Sequence, residues 1–185
     1  SIYEGDYLND KQEGFGRFTL KNGDYYEGEW KNGESTGTGK LVQKETTYEG
    51  RFSSNKYDGY GILTSSDGGR YEGYWKGNKR NGQGKQTKLD GTVYEGEWKD
   101  DLLTGEGKVV IPNNYIYQGG IVNNVLEGKG IFKFDDGTIY EGQVVSGKPN
   151  GFGKIIYSDG DMYEGQWLDS TKHGNGLYTW KDGSF

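Results

Sequence analysis

The chain has no cysteine, which removes disulfides, zinc–thiolate centres and thiol catalysis together. Histidine and methionine each occur once, and proline twice. No Asn-x-Ser/Thr sequon is present, which argues against a glycosylated secreted protein. No stretch approaches the roughly 18 apolar residues of a membrane-crossing helix. No signal peptide is visible. Leu, Ile, Val and Phe together make up less than a fifth of the 185 residues. Such a share signals disorder when net charge is high. Here the formal net charge is only −6, and 16 Tyr and 5 Trp are present. Disordered chains are poor in aromatics. The core is therefore expected to be thin, aromatic and distributed along the chain. The acidic balance speaks against nucleic acid, whose phosphates need clustered Lys and Arg.

Glycine is abundant, with 35 copies, and it recurs in register. Tyr3, Tyr26, Tyr48, Tyr71, Tyr94, Tyr117, Tyr140 and Tyr163 each begin Tyr-x-Gly, and eleven residues later a Gly-x-Gly follows. The spacing is 23 residues, with one step of 22 between Tyr26 and Tyr48. A fixed period of this length signals a repeat architecture, so residues 1–185 are expected to form a single array. Ser1 stands two residues before a complete Tyr-x-Gly, so the chain is expected to be a fragment of a longer protein.

With each tyrosine at position 0, positions 0, +2 and +4 are Tyr, Gly and a large residue: Tyr7, Trp30, Phe52, Trp75, Trp98, Ile121, Val144 and Trp167. Polar residues intervene, mostly Glu at +1. Alternation of period two is a strand with one apolar face. A turn follows, as at Asn9-Asp10-Lys11 and Asn32-Gly33-Glu34, then a second strand carrying Gly at +11 and +13. A four-residue first turn makes paired positions sum to 15, setting +4 against +11 within one hairpin. Each ring is then expected to lie on bare glycine backbone. A second turn, with Asn22-Gly23, Asp67-Gly68, Asp136-Gly137 or a relative, is expected to be a three-residue loop with left-handed Gly. Irregular turns are expected between Lys40 and Thr47 and around Pro112. The fold class expected is all-β: an elongated, twisted antiparallel ribbon of about eight tandem hairpins, single-layered and solenoid-like, with an aromatic face curved into a trough.

These residues resemble the MORN (membrane occupation and recognition nexus) repeat, Tyr-x-Gly-x-Trp-x-x-Gly-Lys-x-x-Gly-x-Gly with a later Asp-Gly. Residues 26–39, from Tyr26-Glu-Gly-Glu-Trp30 to Gly37-Thr-Gly39, match nearly throughout, as do Tyr94-Glu-Gly-Glu-Trp98 and Gly105-Glu-Gly107. Ile121 and Val144 depart from it at the Trp position. The resemblance implies an antiparallel β ribbon and a scaffolding role at cytoskeletal, ciliary or membrane-associated structures, sometimes through dimers. It also implies an alternative: phosphoinositide or anionic-membrane targeting, or a regulatory region of a larger enzyme such as a lipid kinase.

No catalytic, cofactor or metal site is expected. Gly-x-Gly present eight times is not one nucleotide loop, and neither a third Rossmann Gly nor a Gly-Lys-Ser/Thr follows. The lone His173 sits in a turn position without an orienting partner in sequence. Asp159-Gly-Asp-Met-Tyr-Glu164 does not fit a calcium loop. The +1 glutamates are expected to be solvated or cross-strand-paired. Lysines recur at Lys11, Lys56, Lys79 and Lys148 and at Lys40, Lys85, Lys108 and Lys154, two rows able to touch anionic headgroups. The expected function is a non-catalytic scaffold for a protein segment or a second copy, cytoplasmic and cytoskeleton- or membrane-associated. Its expected partner-binding rings are Trp30, Trp75, Trp98, Trp167, Tyr26, Tyr71, Tyr94 and Tyr163. Leu102, Leu103, Val125 and Leu126 fall in turns that are otherwise polar. With Tyr115 and Ile121 they are expected to form an apolar contact patch.

Overall fold

A computed structural model describes all residues, 1–185, and contains strands and turns only. Sixteen strands lie in one open antiparallel sheet, in sequence order. The chain divides into two compact units. The first is Ser1–Leu89 with Trp98–Asp101, the second Asp90–Glu97 with Leu102–Phe185. The first contains β1 (Ile2–Leu8), β2 (Lys11–Thr19), β3 (Tyr25–Lys31), β4 (Glu34–Val42), β5 (Thr46–Ser53), β6 (Lys56–Ser65), β7 (Arg70–Lys76) and β8 (Lys79–Thr87). The second contains β10 (Leu102–Ile111), β11 (Tyr115–Val122), β12 (Val125–Phe134), β13 (Ile139–Val145), β14 (Lys148–Ile156), β15 (Met162–Leu168) and β16 (Thr171–Thr179). Strand β9 (Val93–Lys99) contributes to both.

The register follows the expected sum at one end of each hairpin and departs from it at the other. Tyr3 pairs with Phe18 and Gly5 with Gly16, but Tyr7 pairs with Gln12 rather than Gly14. The same shift recurs in β5–β6, β11–β12, β13–β14 and β15–β16. Its cause is the first turn, which is two residues long, not four. Asn9 and Asp10 have φ of 50° and 61°, and Asn123 and Asn124 of 50° and 69°. Two left-handed residues make the primed turn whose twist suits adjacent strands. The hairpin then closes at +5 with +8, and a bulge near +11 absorbs the surplus residues. That bulge is why +11 is glycine: Gly14 has φ 70° and Gly128 φ 89°. The glycine opposite each +4 side chain comes instead from the preceding repeat. Gly14 pairs with Trp30, Gly59 with Trp75 and Gly151 with Trp167.

The second turns match expectation at the Asn-Gly and Asp-Gly sites. Leu20 N–H donates to the Asp24 carbonyl and Gly23 N–H to the Leu20 carbonyl, enclosing Lys21, Asn22 and left-handed Gly23 (φ 90°). At Pro112 the loop also has three residues. Proline precedes Asn113 at φ 57°, and Asn114 N–H returns to the Ile111 carbonyl, as in a type II turn. In the short second repeat, Gln43 and Thr46 exchange both backbone bonds around Lys44 and Glu45, neither of which has positive φ.

From the second repeat on, the first turn also fastens to the repeat before it. Ser35, Tyr57, Arg80 and Leu103 donate backbone N–H to the side-chain oxygens of Asn55, Asn78, Asp101 and Asn124 at 2.8–2.9 Å. The same four turn residues donate their own N–H back to those carbonyls. Where +7 is Gly33 or Gly147, the return bond is joined instead by Asn32 and Ser146, whose N–H groups donate to the Glu13 and Glu127 carboxylates of the preceding repeat. Asn124→Gly keeps the left-handed backbone and deletes the acceptor for Leu103 N–H. It should cost about 1–2 kcal/mol, read as a lower urea midpoint; an unchanged midpoint would contradict this fastening.

Candidate interaction site

The aromatic face is held together by two repeated hydrogen bonds. The hydroxyls of Tyr3, Tyr26, Tyr48, Tyr71, Tyr117, Tyr140 and Tyr163 each donate to the backbone carbonyl three residues on. Tyr48 reaches Arg51 at 3.0 Å and Tyr140 reaches Gln143 at 2.7 Å. To do so, each ring crosses the paired glycines at +2 and +13. A β-carbon on Gly153 would come within 2.6 Å of Tyr140 Cζ, and one on Gly61 within 2.6 Å of Tyr48 Cε2. Each tryptophan at +4 donates Nε1–H to the carbonyl of the +13 glycine one repeat earlier. Trp30 reaches Gly16, Trp75 Gly61, Trp98 Gly84 and Trp167 Gly153, at 3.0–3.2 Å. The rings meet edge to face, as Tyr71 does with Trp75 at 5.0 Å and with Trp98 at 5.5 Å.

Of the rings expected to contact a partner, Trp30, Trp75, Trp98, Trp167, Tyr26, Tyr71 and Tyr163 are buried and Tyr94 is half-buried. They form the core, so they are not free anchors. On the aromatic face of the first unit a hollow of about 340 Å³ lies between Tyr26, Trp30, Phe52 and Tyr57. Sequence reasoning missed the +9 position, which the bulge turns onto this face. Arg80 there stacks over Trp98 at 4.3 Å and gives its guanidinium protons to Asp101 and Gln86. Lys172 lies over Tyr178 at 4.4 Å, within reach of Tyr157 and Tyr163.

Burial of the phenols raises their pKa. Tyr117 and Tyr140 are pushed up to about 12, chiefly by desolvation, and Tyr26 and Tyr48 are raised further for the same reason. Unfolded tyrosine ionises near about pH 10. Below that, the folded and unfolded chains bind the same phenolic protons. Between about pH 10 and 12 the unfolded chain loses them first, so stability should fall as pH rises. Urea midpoints should match at about pH 8 and 9.5 and drop by about pH 11.5. A midpoint that holds at the highest pH would contradict burial of these hydroxyls.

The six residues expected to form an apolar patch are divided between the two faces. Leu103 and Ile121 are buried at 1 % exposure on the aromatic face, where Ile121 occupies a tryptophan's place. Tyr115 packs there on Phe132 at 5.2 Å, and Leu126 is half-buried. Leu102 and Val125 are exposed on the opposite face. The register explains the split: consecutive residues of one strand point to opposite sides.

That opposite face carries the charged rows. The +1 glutamates alternate with +14 cations from strand to strand, so Arg17 pairs with Glu27 at 3.3 Å and Lys40 with Glu49 at 2.7 Å. In the second unit the face is indented. A groove of about 750 Å³ crosses β10 to β15, with Ile131, Phe152 and backbone at Gly119, Gly130, Gly142 and Gly153 along it. Glu106, Glu141, Glu164, Lys129 and Lys154 line it, and none of these five is in an ion pair. The signal in the sequence is Gly120, which replaces the side chain borne at +3 by the other repeats. It stands opposite Glu106.

The MORN repeat pattern matches residues 3–25, 26–43, 48–70, 71–93, 94–114, 117–139, 140–162 and 163–185. The chain belongs to the MORN-repeat family. Among solved structures, this MORN chain is similar to the TCP domain of SAS-4 from Drosophila melanogaster, in complex with a proline-rich motif of Ana2. Identity is 13%, the TM-score is 0.51, and the match covers 83% of this chain and 85% of that one. A second similarity is to the TCP10 domain of Danio rerio CPAP with a STIL peptide. There identity is 18% and the TM-score 0.36, with coverage of 98% and 96%. At these identities the first likeness speaks for the fold, and the second carries no argument.

Proposed function

We propose that this MORN array is a non-catalytic scaffold that holds a segment of a protein partner on its exposed sheet face, in the cytoplasm at cytoskeletal or membrane-associated structures. The observation that carries the reading is the division of labour between the faces. The leading tyrosines, the +4 tryptophans and the paired glycines are consumed by packing, while the opposite face is open, indented and lined by unpaired charges. Ligand sites are concave and combine apolar lining with a few polar groups. The SAS-4 TCP domain, similar in fold, is in complex with a proline-rich motif, which agrees with peptide binding by such a sheet. A pattern repeated eight times is a framework, not one reaction centre.

The competing reading is attraction to anionic lipid. The rows that would carry it are diluted, because Lys40 is paired with Glu49, and Lys79 and Lys148 lie 3.7 and 3.9 Å from Asp100 and Asp169. Sedimentation with phosphoinositide-containing vesicles at physiological salt separates the two. The scaffold reading expects the protein to stay in solution. Salt-sensitive sedimentation without any protein partner would overturn it.

A further inference from the structure

The groove of the second unit differs from the rest of its face in three respects. First, its charges are unbalanced and free. Lys154 stands between Glu141 and Glu164 in the ladder, while the other neighbour of Glu141 is the uncharged Ile131. Glu106 faces Gly120, which has no side chain. Three carboxylates thus line the groove against two ammonium groups. In the first unit, by contrast, Glu27, Glu49 and Glu72 each hold a cation. Second, the groove offers apolar surface. Phe152 is 57 % exposed and Ile131, two strands away, is half-buried, and both line the groove. Third, it is long. Its lining comes from six successive strands, about 24 Å at the usual strand spacing of about 4.8 Å.

We infer that this groove binds an extended basic peptide of about seven residues, the length that spans about 24 Å at about 3.3 Å per residue. The inference rests on the scaffold reading above and deepens it. An aliphatic or aromatic side chain of the peptide lies on Ile131 and Phe152. Lys or Arg side chains on one flank meet Glu141 and Glu164, and on the other Glu106. The sheet's backbone bonds run within the sheet at this depth, so recognition is through side chains rather than by adding a strand. Lys129 and Lys154 hold acidic peptides off, since like charges placed together reject the wrong partner. An anionic lipid headgroup fits this surface poorly for the converse reason, because three carboxylates face it.

The test is selection from a displayed library of random heptapeptides with the full 185-residue chain, followed by titration of a fluorescein-labelled selected peptide. Selected sequences should carry Lys or Arg around one bulky apolar residue, and their affinity should fall with added salt. Phe152→Ala and the pair Glu141→Gln with Glu164→Gln should each raise Kd about tenfold. Tyr60→Ala, an exposed change on the first unit, should leave Kd unchanged. All substituted residues are exposed, and circular dichroism and thermal melting confirm that each variant folds. Selected peptides without basic residues, or peptides whose affinity survives both groove variants, would overturn the groove while leaving the scaffold reading standing. Failure to select any peptide overturns the groove, and binding of phosphoinositide vesicles by the same protein would then overturn the scaffold reading as well.

Discussion

Gly61→Ala is expected to destabilise the protein by about 3–5 kcal/mol, lowering Tm by roughly 10 °C or more. The magnitude comes from what the added methyl meets. All three atoms nearest to it belong to the Tyr48 phenol, which is fully buried at 0 % exposure. The ring cannot stay. Lifting it breaks the hydroxyl bond to the Arg51 carbonyl. It also breaks the stack on Tyr57 at 3.7 Å and the edge contacts with Phe52 and Trp75 at 5.1 and 5.6 Å. Differential scanning calorimetry or urea unfolding reads the loss. A change within about 0.5 kcal/mol, ordinary for a surface substitution, would mean that the ring does not depend on bare backbone there.

The second large effect is at Trp75. Its side chain is 6 % exposed and touches Tyr48, Tyr57 and Tyr71 edge to face. Its Nε1–H binds the Gly61 carbonyl of the repeat before it. Trp75→Ala should cost about 3–5 kcal/mol through cavity formation and lost ring contacts. Trp75→Phe keeps an aromatic body but removes the donor, and should cost about 1–3 kcal/mol. Because the tryptophan joins one repeat to another, loss should appear as protease sensitivity on both sides of it, in β5–β6 and β7–β8. Cleavage confined to the repeat that carries the substitution would argue that the indole packs only within its own hairpin.

The sequence pattern made the ring-on-glycine arrangement legible because it states both halves in each repeat: Tyr48 with Gly50 and Gly61, Tyr140 with Gly142 and Gly153. The three-residue second turns were legible for a similar reason, since Asn22-Gly23 and Asp136-Gly137 name the left-handed position. The first turn was not. Asp100-Asp101 and Asp169-Ser170 contain no glycine, yet all four residues have positive φ, from 46° to 71°. Once that turn is two residues long, a bulge must follow, and the varied residues beside +11, such as Glu13, Thr36 and Asn81, do not announce it. The error carried forward. It hid the +9 row on the aromatic face, with Arg80, Leu103 and Lys172, and it merged Leu102 with Leu103 although they point to opposite sides. The groove was illegible for another reason. It depends on a missing side chain at Gly120 and on cross-strand neighbours that only the register reveals.

The central claim is that the tyrosine rings require glycine beneath them, and a double-mutant cycle on Gly61→Ala and Tyr48→Ala tests it most directly. Removing the phenol removes the three atoms nearest to a β-carbon at position 61, so adding Gly61→Ala to Tyr48→Ala should cost less than about 0.5 kcal/mol. The coupling between the two sites should then be at least about 2 kcal/mol, within the range for residues in contact. Additive costs, with coupling near zero, would contradict the account.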